Sequence, residues 1–314
     1  MKKTIGFYCC TNGFGHFKRV LEVVNLLKHK FDISIFCSVE QFNKFDSLND
    51  VEYIVSHREN IKWEKVISGN SKTVIKNYFY SLENFSKTVN NFDIVVSDNL
   101  VGLLEYRNDV IIMGSFLWKD VFESYLGTND LTNSDSALLA KHNPIIITNK
   151  YVETQTVKDY KNKVQFGFGC KELPFSTSNN ITHNLVNFSS LKYLPEYYNF
   201  IDELKRAYKV KLSNNFDITE NTLMIARPGV GTITHCVENH IPLVALYSER
   251  DSQEIIELAD TVENFKIGLK FNVDEPVDIV KFNYLKEGNI SFDTNIEKNG
   301  YKNIANFISK YEFI

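Results

Sequence analysis

Two glycine-bearing stretches hold the residue types best suited to chemistry. The first is Thr11-Asn12-Gly13-Phe14-Gly15-His16-Phe17-Lys18-Arg19, which follows an apolar run from Ile5 to Cys10 and opens an amphipathic segment. Gly13 and Gly15 permit backbone angles and a close approach that a Cβ would forbid. A helix starting there offers unpaired N–H groups and a partial positive charge, a setting for an anion or a polar oxygen. His16 stands at that helix start. An imidazole in this place can act as a general base near neutral pH, and the helix dipole favours its neutral, proton-accepting form. The same residues would also serve as a plain strand–helix turn with a capping histidine.

The second stretch, Arg227-Pro228-Gly229-Val230-Gly231-Thr232, follows the apolar run Leu223–Ala226. The amides of Gly231, Thr232 and Ile233, with the Thr232 hydroxyl, suit a diphosphate. Arg227 precedes that loop and adds a cation. The next apolar run, Leu243–Tyr247, leads into Ser248-Glu249-Arg250-Asp251-Ser252-Gln253-Glu254. Arg250, Asp251, Gln253 and Glu254 offer directional donors and acceptors for sugar hydroxyls. A polar turn with capping residues is the plainer alternative; two such loops in one β-α-β unit weigh against it.

Several other chemistries are excluded or disfavoured. The first loop does not complete G-x-G-x-x-G, because Lys18 takes the third glycine position, and the run Ile33–Ser38 ends in Cys37-Ser38 without an acidic residue. Dinucleotide binding is therefore disfavoured. No G-x-x-x-x-G-K-[ST] occurs, and no G-x-S-x-G elbow. The five cysteines form no C-x-x-C pair, and the histidines outside these loops show no metal spacing, so no metal site is expected.

Together the two loops resemble the GT-B glycosyltransferase superfamily. The nearest likeness is to the branch of the lipid II-forming N-acetylglucosaminyltransferase and the UDP-sugar hydrolase of pseudaminic acid synthesis. Relatives carry Gly-x-Gly-His-x-x-Arg after the first strand, matched here by Gly13 to Arg19. They also carry Gly-x-Gly-Thr-x-x-Glu, read here as Gly229-Val230-Gly231-Thr232-Ile233-Thr234-His235, so His235 stands where a ribose-binding Glu is common; Glu238, one turn on, is the acidic residue that could take that place. Ser189 and Ser190 stand where relatives often place glycines and could donate to phosphate.

The resemblance implies an inverting, metal-independent transfer from a nucleotide sugar to a hydroxyl of a glycan, lipid-linked glycan or glycoconjugate in bacterial assembly, with no cofactor. It implies His16 as the base and Asp98 as the alternative base or its partner. No D-x-D occurs, in keeping with metal independence. A nucleotide-sugar hydrolase and a non-catalytic nucleotide-sugar binder are the competing functions on this scaffold. Gly114-Ser115-Phe116-Leu117-Trp118-Lys119-Asp120 would line the acceptor side. Trp118 could stack on a sugar, and Lys119 and Asp120 could read hydroxyls. A buried Trp beside a solvated charged helix start is the plainer alternative.

These residues need a scaffold that brings strand ends together. The 314 residues are 43% hydrophobic and 24% charged, enough for a real core and about two domains. Apolar runs at Thr4–Cys10, Ile33–Ser38, Val51–Val55, Asp93–Asp98, Val110–Phe116, Pro144–Thr148 and Val164–Phe168 alternate with helical patterns such as Phe17–Lys30. That alternation predicts a parallel sheet covered on both faces. It restarts after Gly167, Gly169 and Pro174. The expected fold is α/β, two tandem Rossmann-like domains facing across a cleft, at 1–170 and 171–314, with a last helix returning to the first domain. The net charge of −4 speaks against a broad nucleic-acid surface. No run reaches the ~18 apolar residues of a membrane span. The short run after Met1-Lys2-Lys3 is unlike a signal peptide, so a cytoplasmic protein is expected.

Overall fold

The computed structural model describes residues 2–11, 14–56, 88–170, 183–187, 195–213, 222–288 and 295–311. The chain forms two compact units, Met1–Gly167 with Gly300–Ile314, and Phe168–Asn299.

The first unit is built on a seven-stranded sheet. Its strands are β1 (Thr4–Tyr8), β2 (Asp32–Ser38), β3 (Val51–Ser56), β4 (Ile94–Asp98), β5 (Ile111–Met113), β6 (Ile146–Asn149) and β7 (Lys163–Phe166). The spatial order is β3-β2-β1-β4-β5-β6-β7, and every pairing is parallel. The first strand shows why the sequence reads as an unbroken apolar run. Ile5, Phe7 and Cys9 face one buried layer, while Tyr8 and Cys10 face the other. Period-2 alternation puts both sets in a core when both faces are covered.

Helix α1 (Phe14–Leu27) buries Phe17, Val20, Val23, Val24 and Leu27, the stripe its spacing predicts. Helix α2 (Val39–Lys44) is short and opens with a capping box, Ser38 with Gln41. Helices α3 (Trp118–Leu126), α4 (Asp130–His142) and α5 (Gln155–Asp159) place Val121, Phe122, Leu131, Leu139 and Val157 in the apolar layer that also holds Tyr8, Val95, Ile112 and Ile146. Asn129 caps α4 with Thr132, and Asn143 closes it in the left-handed region at φ 43°.

The second unit has a five-stranded parallel sheet of β8 (His183–Asn187), β9 (Lys211–Ser213), β10 (Thr222–Ala226), β11 (Leu243–Tyr247) and β12 (Gly268–Asn272), ordered β12-β11-β10-β8-β9. Helices α6 (Pro195–Ala207), α7 (Val230–Asn239), α8 (Gln253–Asn264) and α9 (Ile279–Lys286) connect or flank these strands. Tyr197, Phe200, Ile201 and Leu204 of α6 pack with Leu223, Ile225, Val244 and Leu246 of the sheet. Gly268 is required by close approach: a Cβ there would lie 1.8 Å from the Leu243 carbonyl oxygen.

Phe168 and Cys170 bond to Glu297 and Asn299 through the backbone, tying the two ends of the second unit together. The chain then returns. Helix α10 (Gly300–Lys310) belongs to the first unit and lays Ile304, Ala305 and Ile308 into the same apolar layer as α1. Among the described residues, no helix is long and apolar enough to cross a membrane.

Candidate functional site

In an open parallel sheet, ligands favour the carboxyl ends of strands where the strand order reverses. In the first unit that reversal lies between β1 and β4, which are adjacent, with Tyr8 opposite Ser97. The helix after β1 begins with Phe14-Gly15-His16, and β4 ends at Asp98. His16 and Asp98 therefore meet there. His16 Nδ1 lies 2.8 Å from Asp98 Oδ2. Asp98 is buried, and its other oxygen, Oδ1, accepts from Arg19 Nη2. Arg19 stands three positions after His16, so both side chains leave one face of α1 and reach one carboxylate.

The electrostatics follow from this arrangement. Burial alone would raise the Asp98 carboxyl, but Arg19 and His16 hold it below the ordinary carboxylate range. Burial would likewise weaken the Arg19 cation, and Asp98 reverses that, holding the guanidinium above its usual value. With Nδ1 directed at an ionised carboxylate, a neutral imidazole carries its proton on Nδ1 and presents Nε2 as an acceptor. The ring packs near Phe116 and Trp118, at centroid distances of 5.9 and 6.1 Å.

The floor beneath the dyad is also fixed. Asn99 follows Asp98 in the left-handed region at φ 61°. Its amide nitrogen donates to the Met113 and Phe116 carbonyls. Gly114 makes room for it, since a Cβ at Gly114 would fall 1.4 Å from the Asn99 amide.

The residues expected on the acceptor side are placed differently. Trp118 is only 3% exposed, within the core cluster of Phe116, Leu117 and Phe122, and its Nε1 donates to Cys10 Sγ at 3.2 Å. It supports His16 from inside and offers no open face for a sugar. Lys119 reaches Glu123 at 3.1 Å and Asp120 at 3.5 Å, and Asp120 accepts from the Thr154 and Thr156 hydroxyls. These side chains fasten α3 to the start of α5. Gly13 lies outside the described residues. Among the described residues, a Cβ at Gly15 would meet nothing within 4 Å.

In the second unit the strand order reverses between β8 and β10. The loop after β10 is Arg227-Pro228-Gly229, and Gly229 is the extended N-cap of α7. Ile233 N already bonds to the Gly229 carbonyl at 2.9 Å. The amides before that first helical bond are those of Val230, Gly231 and Thr232, one residue earlier than the sequence suggests. A Cβ at Gly231 would likewise meet nothing within 4 Å. Ser189 and Ser190, on the other side of the reversal, lie outside the described residues.

Asp251 differs from its expected role. Its side chain is fully buried, and its two oxygens take four donors: Arg227 Nε (3.1 Å) and Nη2 (2.6 Å) on Oδ1, with the Ser248 amide (2.9 Å) and the Tyr197 hydroxyl on Oδ2. That fills the acceptor sites of a carboxylate, leaving none for a sugar hydroxyl. Arg250 is drawn to Glu196 and to Asp274, and Asp274 also accepts from the Ser248 hydroxyl and the Glu249 amide. Gln253 is exposed in the first turn of α8, with Nε2 3.4 Å from Glu257, and Glu254 follows it. His235 lies one turn into α7, its Nδ1 3.3 Å from Asn239 Nδ2.

Sequence reading missed two participants. Arg19 closes the Gly-x-Gly-His-x-x-Arg match, but the sequence assigns it no partner, although its spacing from His16 is a signal. Tyr197 carried no signal, because its partner is set by the sheet.

No family model and no curated protein matches the chain. Solved structures do. The glycotransferase of kitacinnamycin superposes with a TM-score of 0.61 at 10% identity, covering 99% of each chain. The calicheamicin glycosyltransferase CalG4 gives 0.62 at 12% identity, covering 98% of each. Arabidopsis thaliana UGT89C1 complexed with UDP gives 0.62 at 8% identity, covering 98% of this chain and 99% of that one. The fold of this chain is therefore the GT-B fold of these glycosyltransferases.

Proposed function

We propose that the protein is an inverting glycosyltransferase that takes its sugar from a nucleotide-sugar donor and works without a metal. The observation that supports this most is the His16 imidazole, oriented through Nδ1 by a buried carboxylate at the strand-order reversal of a GT-B fold. In the reaction, His16 Nε2 takes the proton of an acceptor hydroxyl. The oxygen attacks the anomeric carbon from the face opposite the leaving group, the carbon–oxygen bond to the diphosphate breaks, and the configuration inverts. The diphosphate leaves with its charge held by the Val230–Thr232 amides and by Arg227, the part a metal would otherwise play. Gln253 and Glu254, at the start of α8, read sugar hydroxyls.

On the Gly13–Arg19 sequence, we place the protein nearest the lipid II and pseudaminic acid branch. Its acceptor is a glycan, lipid-linked glycan or glycoconjugate of bacterial assembly, and its compartment is the cytoplasm. Incubation with a set of nucleotide sugars tests the reading. Acceptor-dependent release of the nucleotide, lost in His16→Ala, is the expected result. Release at enzymatic rate without any acceptor would identify a hydrolase. Turnover unchanged in His16→Ala would overturn the assignment of the base.

A further inference from the structure

Arg19 is a partly buried cation that this reaction scheme leaves without a task. Its Nη2 pairs with Asp98 Oδ1, stands 3.4 Å from His16 Nδ1 and lies 3.5 Å from the Met113 carbonyl. Asp98 thus has one oxygen committed to each partner: Oδ1 to Arg19 and Oδ2 to His16. Without a partner on Oδ1, a carboxylate can rotate about its terminal torsion, which is broad and two-fold. The carboxylate could then turn out of line with the imidazole, and its buried charge would stand uncompensated, which favours a protonated Asp98 that donates to Nδ1 in place of accepting from it.

The charges around Asp98 are few. From the residue just after β1, the Cys9 thiol approaches Oδ2 at 3.8 Å, and burial pushes that thiol well above its usual value, so it stays a neutral donor. From α1 come His16 and Arg19. From α10, Tyr301 acts on Arg19. Among the described residues, Arg19 is therefore the cation that offsets Asp98. It cancels the charge of the carboxylate, so Asp98 gives the imidazole direction more than charge.

We infer that Arg19 is a positioning residue for the proposed base: by holding Asp98 Oδ1 it keeps Oδ2 on His16 Nδ1 and so keeps the His16 acceptor at Nε2. This rests on the reading of His16 as the base. The third position after the histidine thereby acquires a role that a surface salt bridge would not have.

The experiment compares wild type, Arg19→Gln and Arg19→Lys with two readouts. Long-range proton–nitrogen NMR of the imidazole reports which ring nitrogen carries the proton, with no substrate present. Steady-state kinetics with a turned-over nucleotide sugar reports kcat and KM. Arg19→Gln should lose the Nδ1–H tautomer and about 100-fold in kcat, with KM within about threefold. Arg19→Lys should keep the charge and the tautomer and lose about tenfold in kcat. Wild-type tautomer and wild-type kcat in either folded variant would overturn the inference. Should Arg19→Gln fail to fold, Arg19→Lys still decides, because unchanged kcat there contradicts positioning by the guanidinium. A tautomer lost in Arg19→Gln while wild type turns over no nucleotide sugar would leave the inference standing and defeat the functional reading instead.

Discussion

The mouth of α1 and the mouth of α7 are built to one plan and differ in one partner. Each helix follows a strand next to the point where its sheet reverses order. Each pairs a buried aspartate with an arginine: Asp98 with Arg19, and Asp251 with Arg227. The difference lies in the third partner. At α1 it is an imidazole, which can accept and return a proton near neutral pH. At α7 it is the Tyr197 hydroxyl, whose proton burial holds more firmly than usual. One residue type thus separates the two mouths, and under the proposed function it divides proton transfer at α1 from anion binding at α7.

The sharpest break is at the two aspartates. Asp98→Ala and Asp251→Ala each leave a partly buried arginine without its partner. Each should cost about 3–5 kcal/mol of stability by denaturant titration. Equal losses would bear out the shared plan, and a loss within about 1 kcal/mol at either would show that its ion pair does not hold the loop.

His16→Ala separates the two mouths by function. It should lower kcat by about 10²–10⁴-fold while nucleotide affinity stays within about twofold. Calorimetric titration beside a kinetic assay checks both halves of that statement.

A third contrast concerns pH. Asp135 of α4 is buried in the first unit, its Oδ2 without a hydrogen-bond partner among the described residues, and burial pushes its carboxyl up to about 7 against a partial counter-effect from Lys119. The unfolded value is near 3.9. The folded state therefore binds the proton more tightly, so this contribution is full below about pH 4 and is lost as pH rises through about 7. Over that range the protein should lose up to about 4 kcal/mol, and Asp135→Asn should flatten the profile. A profile equally steep in the variant would place the titration elsewhere.

The smallest effects come from the glycines. Gly15→Ala and Gly231→Ala add a Cβ into open space, so stability should change by less than about 1 kcal/mol. If a diphosphate sits at α7, Gly231→Ala should weaken nucleotide binding about tenfold, and Gly15→Ala should leave it alone.

Much of this was readable in advance where chemistry and local pattern coincide. The β1 run Ile5–Cys10 reads as a covered parallel strand because both of its faces are buried, and Gly15-His16 reads as a helix mouth because glycine and histidine mark it locally. Helix α4 did not read as a helix, since its buried face includes Thr132 and Asp135, which break the apolar stripe. Helix α2 is too short to show a period. The pairing of Arg19 with Asp98 spans 79 residues and exists only once β1 and β4 are neighbours. Asp251 looks in sequence like a loop charge free to meet a ligand, yet the strand ends around it supply enough donors to bury it.

The most direct test of the division of labour is the unfolding free energy of wild type and His16→Ala in the presence of UDP, GDP, CDP, TDP or CMP. At 100 times its dissociation constant, the correct nucleotide should add about 2.7 kcal/mol to both proteins alike, because the binding mouth is intact in each. No added stability from any of the five would contradict the account at its centre.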